Sequence, residues 1–300
     1  MSLERRWARA VREAERCRRA LSEDGVHDLR VAIRRLIATL DLVAVVLDDP
    51  GPRGLRRNLR KSLAMLGALR DVQVQLLLLG PVAARHPSIE PLQTVLKVRE
   101  RRLITRVKGR LASTTPETDA ATLRRAAVKV PAAFRVRGAA VFAAATLAFA
   151  RAVLCRETAD PAQPDTIHRL RIAFKKFRYA AEALQPLLPG ITKEMLHAMD
   201  AYQTRMGAIQ DLEVLAESIR LFCMRSGPRG KGIPAPLVHE LAGRRRVLLR
   251  EFRRSADELY GFWRFPFPAP ERKAWTFTSS GTASPSSAAR RDMKTTPPVR

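Results

Sequence analysis

Two short runs in this 300-residue chain place basic side chains where they can act together. The first is Val26-His27-Asp28-Leu29-Arg30-Val31-Ala32-Ile33-Arg34-Arg35-Leu36. The second is Ile167-His168-Arg169-Leu170-Arg171-Ile172-Ala173-Phe174-Lys175-Lys176-Phe177, followed by Arg178. On a helix turning about 100° per residue, His27, Arg30 and Arg34 form one polar stripe. That stripe runs beside an apolar face of Leu29, Ile33, Leu36 and Leu40. His168, Arg171, Lys175 and Arg178 form a stripe of the same phase. Charges stacked one helical turn apart suit an extended polyanion, and the planar guanidinium fork grips phosphate oxygens in pairs. A catalytic triad would instead need unlike residues converging on one point.

The helix starts strengthen the anion reading. Asp24 and Thr166 are expected to be the N-caps. His27 and His168 then fall in the first turn, where free N–H groups and the helix dipole favour negative charge. A bound phosphate would raise a histidine pKa and keep the ring charged.

A second motif follows each stripe. Leu66-Gly67-Ala68-Leu69-Arg70-Asp71-Val72-Gln73-Val74 parallels Met206-Gly207-Ala208-Ile209-Gln210-Asp211-Leu212-Glu213-Val214. Gly inside a helix costs about 1 kcal/mol relative to Ala, so Gly67 and Gly207 are expected to mark close helix–helix approach. Asp71 and Asp211 are expected to orient basic side chains by ion pairing. Arg70 can reach a ligand, whereas its counterpart is Gln210, so the halves differ there. Arg56, Arg57, Arg60 and Lys61 add basic groups upstream on the same helix.

The elements that must carry these residues are helices. Apolar residues recur every three to four positions, for example Leu55, Leu59, Leu63, Leu66 and Leu69. Gly and Pro punctuate the runs. The chain reads as all-α, with eight to ten helices. The stripe motif repeats at an offset of 141 residues and the glycine motif at an offset of 140. The expectation is one domain over about 1–264 built from two pseudo-symmetric helical-bundle repeats, about 1–157 and 158–264. Residues 265–300, rich in Pro, Ser and Thr, read as a disordered tail.

Composition supplies the background. The formal net charge is +26, and arginine outnumbers lysine 45 to 10. The excess is spread along the chain, with 29 basic and 14 acidic residues in positions 1–150. Such a chain is drawn to phosphate polymers or anionic membranes, not to cationic partners. Cys17, Cys155 and Cys223 form no C-x-x-C pair, so they read as small hydrophobes in a reducing cytosol. The N-terminus lacks an apolar signal region. The charge-free stretch from Gly138 to Ala150 is too short to span a bilayer and reads as a buried helix.

Two alternatives stay open beside polyanion binding. A nucleic-acid-binding module would use the same phosphates, although no nucleic-acid motif is present and aromatic residues are only 6%. An enzyme of phosphate metabolism lacks clustered carboxylates, an activated nucleophile and any Walker or H-E-x-x-H motif. No metal or cofactor is expected.

The four motifs, in order, resemble the CHAD family, the conserved-histidine α-helical domain. The resemblance rests on V-H-D-L-R-V-A-I-R-R-L (26–36) and L-G-A-L-R-D-V-Q-V (66–74). It continues in I-H-R-L-R-I-A-F-K-K-F-R-Y-A-A-E (167–182) and Y-Q-T-R-M-G-A-I-Q-D-L-E-V (202–214), and spans about residues 1–264. It implies a two-repeat helical fold with a basic cavity that binds inorganic polyphosphate without catalysis. It also implies a cytoplasmic setting, at polyphosphate granules or beside a triphosphatase or kinase. His27, Arg30, Arg34, Arg35, His168, Arg171, Lys175 and Arg178 would face the ligand. Lys176, Arg57, Arg60, Lys61 and Arg70 would extend the basic surface, with Gly67, Asp71, Gly207 and Asp211 in support. The family's first motif usually continues with Arg where this chain has Ile37, so the first half is expected to hold its ligand less firmly. The E-x-E-x-K signature of the CYTH triphosphatase domain is absent from this sequence, which therefore reads as a stand-alone module.

Overall fold

The computed structural model describes residues 3–48, 53–112, 116–188, 190–225 and 235–264, with side chains from 120 onward in the third segment. Among these residues there are eight α-helices and no strands. They are α1 (Leu3–Arg19), α2 (Glu23–Leu47), α3 (Arg53–Arg85) and α4 (Glu90–Ala112), then α5 (Pro116–Glu157), α6 (Pro164–Leu184), α7 (Lys193–Arg225) and α8 (Ala235–Ser255). A 3-10 segment, Ala256–Phe262, closes the described chain. The expected tail, 265–300, lies outside the described residues.

The helix starts correct two sequence expectations. The N-cap of α2 is Ser22, whose Oγ accepts from the Gly25 N–H at 3.1 Å. Asp24 lies inside the helix instead. Helix α6 starts on Pro164, which has no N–H to leave unpaired. Thr166 is its third residue. The buried Thr166 hydroxyl accepts from the Asp160 N–H at 2.8 Å and lies 2.7 Å from the Gln163 carbonyl. His27 and His168 are consequently the fifth residue of their helices, past the first turn and its free N–H groups. Neither imidazole sits on a bare helix end.

Packing sets the two motif helices against each other. Helix α2 packs on α3 and α6, α3 also packs on α7, and α6 packs on α7. The long helix α5 lies against both α2 and α6. Aromatic residues concentrate where α5, α6, α7 and the 3-10 segment meet. Phe174 stacks edge-on to Tyr202 at 4.7 Å, and Phe177 lies edge-on to Trp263 at 5.5 Å. Their polar tips are satisfied: Tyr202 donates to the Ala256 carbonyl at 3.0 Å, and Trp263 Nε1 donates to Thr146 at 3.1 Å. The α1–α4 side is aliphatic, built on Leu29, Leu36, Leu40, Leu66 and Leu69.

Two smaller expectations are met only in part. Cys17 is fully buried, but Cys155 and Cys223 are half-buried. Within Gly138–Ala150 the inward residues Val141, Ala145 and Phe149 are core, while Ala139, Ala140 and Leu147 are exposed.

Candidate anion-binding cavity

A cavity of about 210 Å3 opens where α2, α3, α6 and α7 meet. Helix α2 contributes Arg30 and Arg34, and α6 contributes His168 and Arg171. Helix α3 contributes Asp71, Val74 and Gln75, and α7 contributes Gln210, Asp211 and Val214. Residues from both copies of both motifs thus meet on one space.

The two motif glycines make room for the two motif arginines. A Cβ at Gly67 would lie 3.0 Å from Arg30 Nη1. A Cβ at Gly207 would lie 3.7 Å from Arg171 Nε. The close approach expected of these glycines is an approach of helix to arginine, which lays the guanidinium across a neighbouring backbone.

Three nitrogen atoms of half-buried side chains on this cavity are themselves buried without a hydrogen-bond partner: Arg30 Nη1, Arg171 Nε and His168 Nδ1. Buried polar atoms are nearly always paired, and an orphaned buried donor carries a desolvation cost. Electrostatics point the same way. Burial pushes the Arg30 guanidinium down to about 10, with Arg34 pushing the same way and Asp71 opposing it. Burial also lowers Arg171, against the pull of Asp211. Lys175 is driven furthest, to about 6, by burial and then by Arg171, Arg34, Arg30 and Arg178. Its amine is therefore largely neutral at pH 7. Burial raises Asp211, opposed by Arg171 and reinforced by Asp71. His27, though exposed as a residue, is lowered by partial desolvation of its ring and by Arg70. Positive charge is crowded here: Arg30, Arg171 and Lys175 are all held below their ordinary values.

The remaining candidates divide. His27 is exposed and does not line the cavity, although Arg70 and Arg34 act on it, and the half-buried Lys175 lies behind the lining beside Arg171, Arg34 and Arg30. Arg70 lies half-buried, 3.8 Å from Glu23. Arg57, Lys61 and Lys176 are exposed, and Arg60 pairs with Asp41 at 3.5 Å. Arg35 and Arg178, placed on the ligand face by the sequence, do not line the cavity. Arg35 pairs with Glu182 of α6 at 2.7 Å, and the buried Arg6 of α1 donates to the Arg35 carbonyl at 3.3 Å. Arg178 is buried, bonded to Asp200 at 2.5 Å and to Gln203 at 3.1 Å. Both tie helices together. Asp71 and Asp211, expected only as support, line the cavity themselves.

Ile37 packs against the Val26, Leu29, Ile33 and Leu66 cluster. Its sequence counterpart Arg178 is bonded to Asp200 of α7. Gln75 and Gln210 are lining residues that the sequence reading did not single out for binding. Gln75 was findable, one turn after Asp71 and on the same helical face; its Nε2 donates back to the Asp71 carbonyl at 3.1 Å. Among the described residues no group of three or more His, Cys, Asp or Glu is placed to hold a metal ion.

An all-helical chain with a basic cavity between its motif helices is the class that these observations define. The model of the CHAD domain matches residues 2–220. The chain belongs to the CHAD family. The structure is similar to the crystal structure of the CHAD domain from the plant Ricinus communis. The TM-score is 0.60 at 19% sequence identity, over 87% of this chain and 88% of that one. At that identity the likeness concerns the fold alone. Comparison with curated proteins finds no match. Beyond the family match, α8 and the 3-10 segment still contribute Phe252, Leu259 and Phe262 to the aromatic core.

Proposed function

We propose that the protein binds inorganic polyphosphate without chemical turnover, with part of the chain seated in the α2/α3/α6/α7 cavity. The observation that carries this reading is the set of partnerless buried nitrogen atoms on one cavity, Arg30 Nη1, Arg171 Nε and His168 Nδ1. A phosphate oxygen supplies the acceptors that the arginines lack, and charge-assisted bonds to phosphate are the strong kind. Arg34 adds a further fork, and Lys175 takes up a proton as the anion arrives. Residues outside the cavity, His27, Arg70, Arg57, Lys61 and Lys176, offer a basic path for the rest of the polymer. The sequence repeat supports a ligand-binding unit used twice, with its two stripes turned toward a shared space. A cytoplasmic role at polyphosphate granules, or delivery of polyphosphate to a triphosphatase or kinase, fits such a binder.

A competition assay tests the reading. Labelled long-chain polyphosphate is titrated with unlabelled polyphosphate, duplex DNA and monophosphate at equal phosphate concentration. Polyphosphate should displace the label at the lowest concentration. Equal displacement by duplex DNA would favour the nucleic-acid reading.

A further inference from the structure

The outer face of α5 is a feature that the cavity leaves unexplained. Val128 is 80% exposed and Val136 83% exposed, with Leu147 at 49% and Leu154 at 59%. At about 100° per residue these four fall within an arc of about 100°, which also takes in Ala132, Ala139, Ala143 and Ala150, with one exposed cation, Arg125, near its start and one exposed carboxylate, Glu157, at the last residue of the helix. An 18-residue window of this helix reaches a mean hydropathy of 1.8, of which 28% is buried. The same length and composition would let a helix cross a bilayer, as would those of α3. A crossing is excluded for α5 as folded, because its other face (Val141, Ala145, Phe149, Ala152) belongs to the core.

The charges on its flanks choose the occupant. From 120 to 156 there is no acidic residue. Arg124 and Arg135 border the apolar arc on one side, and Lys129 and Arg151 border it on the other. All four are exposed. An apolar strip between two basic borders is the layout of a helix lying in a lipid interface. Basic residues near an anionic leaflet gain about 1 kcal/mol each. A second copy of the chain would bring these like charges together, which counts against self-association.

We propose that the outer face of α5 docks on an anionic lipid bilayer, seating Val128, Val136, Leu147 and Leu154 at the headgroup boundary. The inference stands apart from polyphosphate binding, since it uses none of the cavity residues. The test is co-sedimentation of the full chain with vesicles of phosphatidylcholine alone or with about one third phosphatidylglycerol. Because the net charge of +26 alone attracts anionic vesicles, two variants of equal charge are compared. One is Val128→Glu with Val136→Glu. The other is Val238→Glu with Val247→Glu, at exposed positions of α8. The first should weaken binding to anionic vesicles about tenfold and the second less than about twofold. Equal losses in the two variants would overturn the proposal, as would no binding by the parent chain or a dimer that the first variant dissolves. Circular dichroism and polyphosphate affinity should be unchanged in both variants.

Discussion

Arg30 of α2 lies directly over Gly67 of α3, so that a methyl group at position 67 would meet Nη1 at 3.0 Å. The matching pair, Arg171 over Gly207, leaves 3.7 Å, an ordinary contact distance. The two alanine substitutions should therefore differ. Gly207→Ala should leave polyphosphate affinity within about twofold and add up to about 1 kcal/mol of stability from helix propensity. Gly67→Ala should move Arg30 and weaken binding several-fold. Denaturant unfolding and a binding titration on the two variants check both halves of the statement.

The ion pair of Arg35 and Glu182 leads to a second prediction. Glu182 compensates both Arg35, at 2.7 Å, and the buried Arg6, at 3.9 Å. Glu182→Ala leaves two guanidinium groups without their carboxylate and should destabilise the fold by about 3 kcal/mol. Polyphosphate affinity of the folded protein should be nearly unchanged. A large loss of affinity with intact stability would return Arg35 to the ligand face.

A third prediction concerns pH and stability. Lys175 has its pKa lowered from 10.5 to about 6 in the folded chain. Between these two values the unfolded chain holds the proton that the folded chain lacks. Stability contributed by this site therefore rises with pH across that window and is flat below pH 6. Lys175→Met should stabilise the protein at pH 7 and remove this slope, as read from unfolding curves at several pH values.

Ligand binding reverses the proton balance. An anion beside Lys175 and His27, both lowered in the free protein, favours their charged forms. Binding at pH 7 should take up protons, and affinity should fall as pH rises from 6 to 8. Calorimetry in buffers of different ionisation enthalpy measures the uptake. Lys175→Met should abolish most of it, and a flat affinity profile in the parent chain would remove both groups from the account.

Much of this was legible in the sequence, and the rest fails for physical reasons. The helices follow from three-to-four periodicity broken by Gly and Pro. The paired motifs that meet at the cavity follow from the repeat. Arg35 and Arg178 could not be assigned from their own helices, because a stripe of charge does not reveal which cations meet carboxylates from elsewhere. Glu182 and Asp200 supply those carboxylates from positions distant in sequence or on another helix. Asp24 looked like an N-cap because it is the right residue type, two positions from Ser22, which has the capping geometry. The lowered Lys175 is only half legible: Arg171 and Arg178 share its helical stripe, but its burial and the approach of Arg30 and Arg34 from α2 arise only on folding.

The central claim is that Arg30 and Arg171 jointly hold phosphate in the cavity. A salt titration of polyphosphate affinity for the parent chain and the Arg30→Ala, Arg171→Ala double variant tests it most directly. The variant should keep its helicity, bind at least about tenfold more weakly, and lose about 1.5 from the slope of log affinity against log salt, since two phosphate contacts have gone. An unchanged affinity and slope in a fully helical double variant would contradict the assignment.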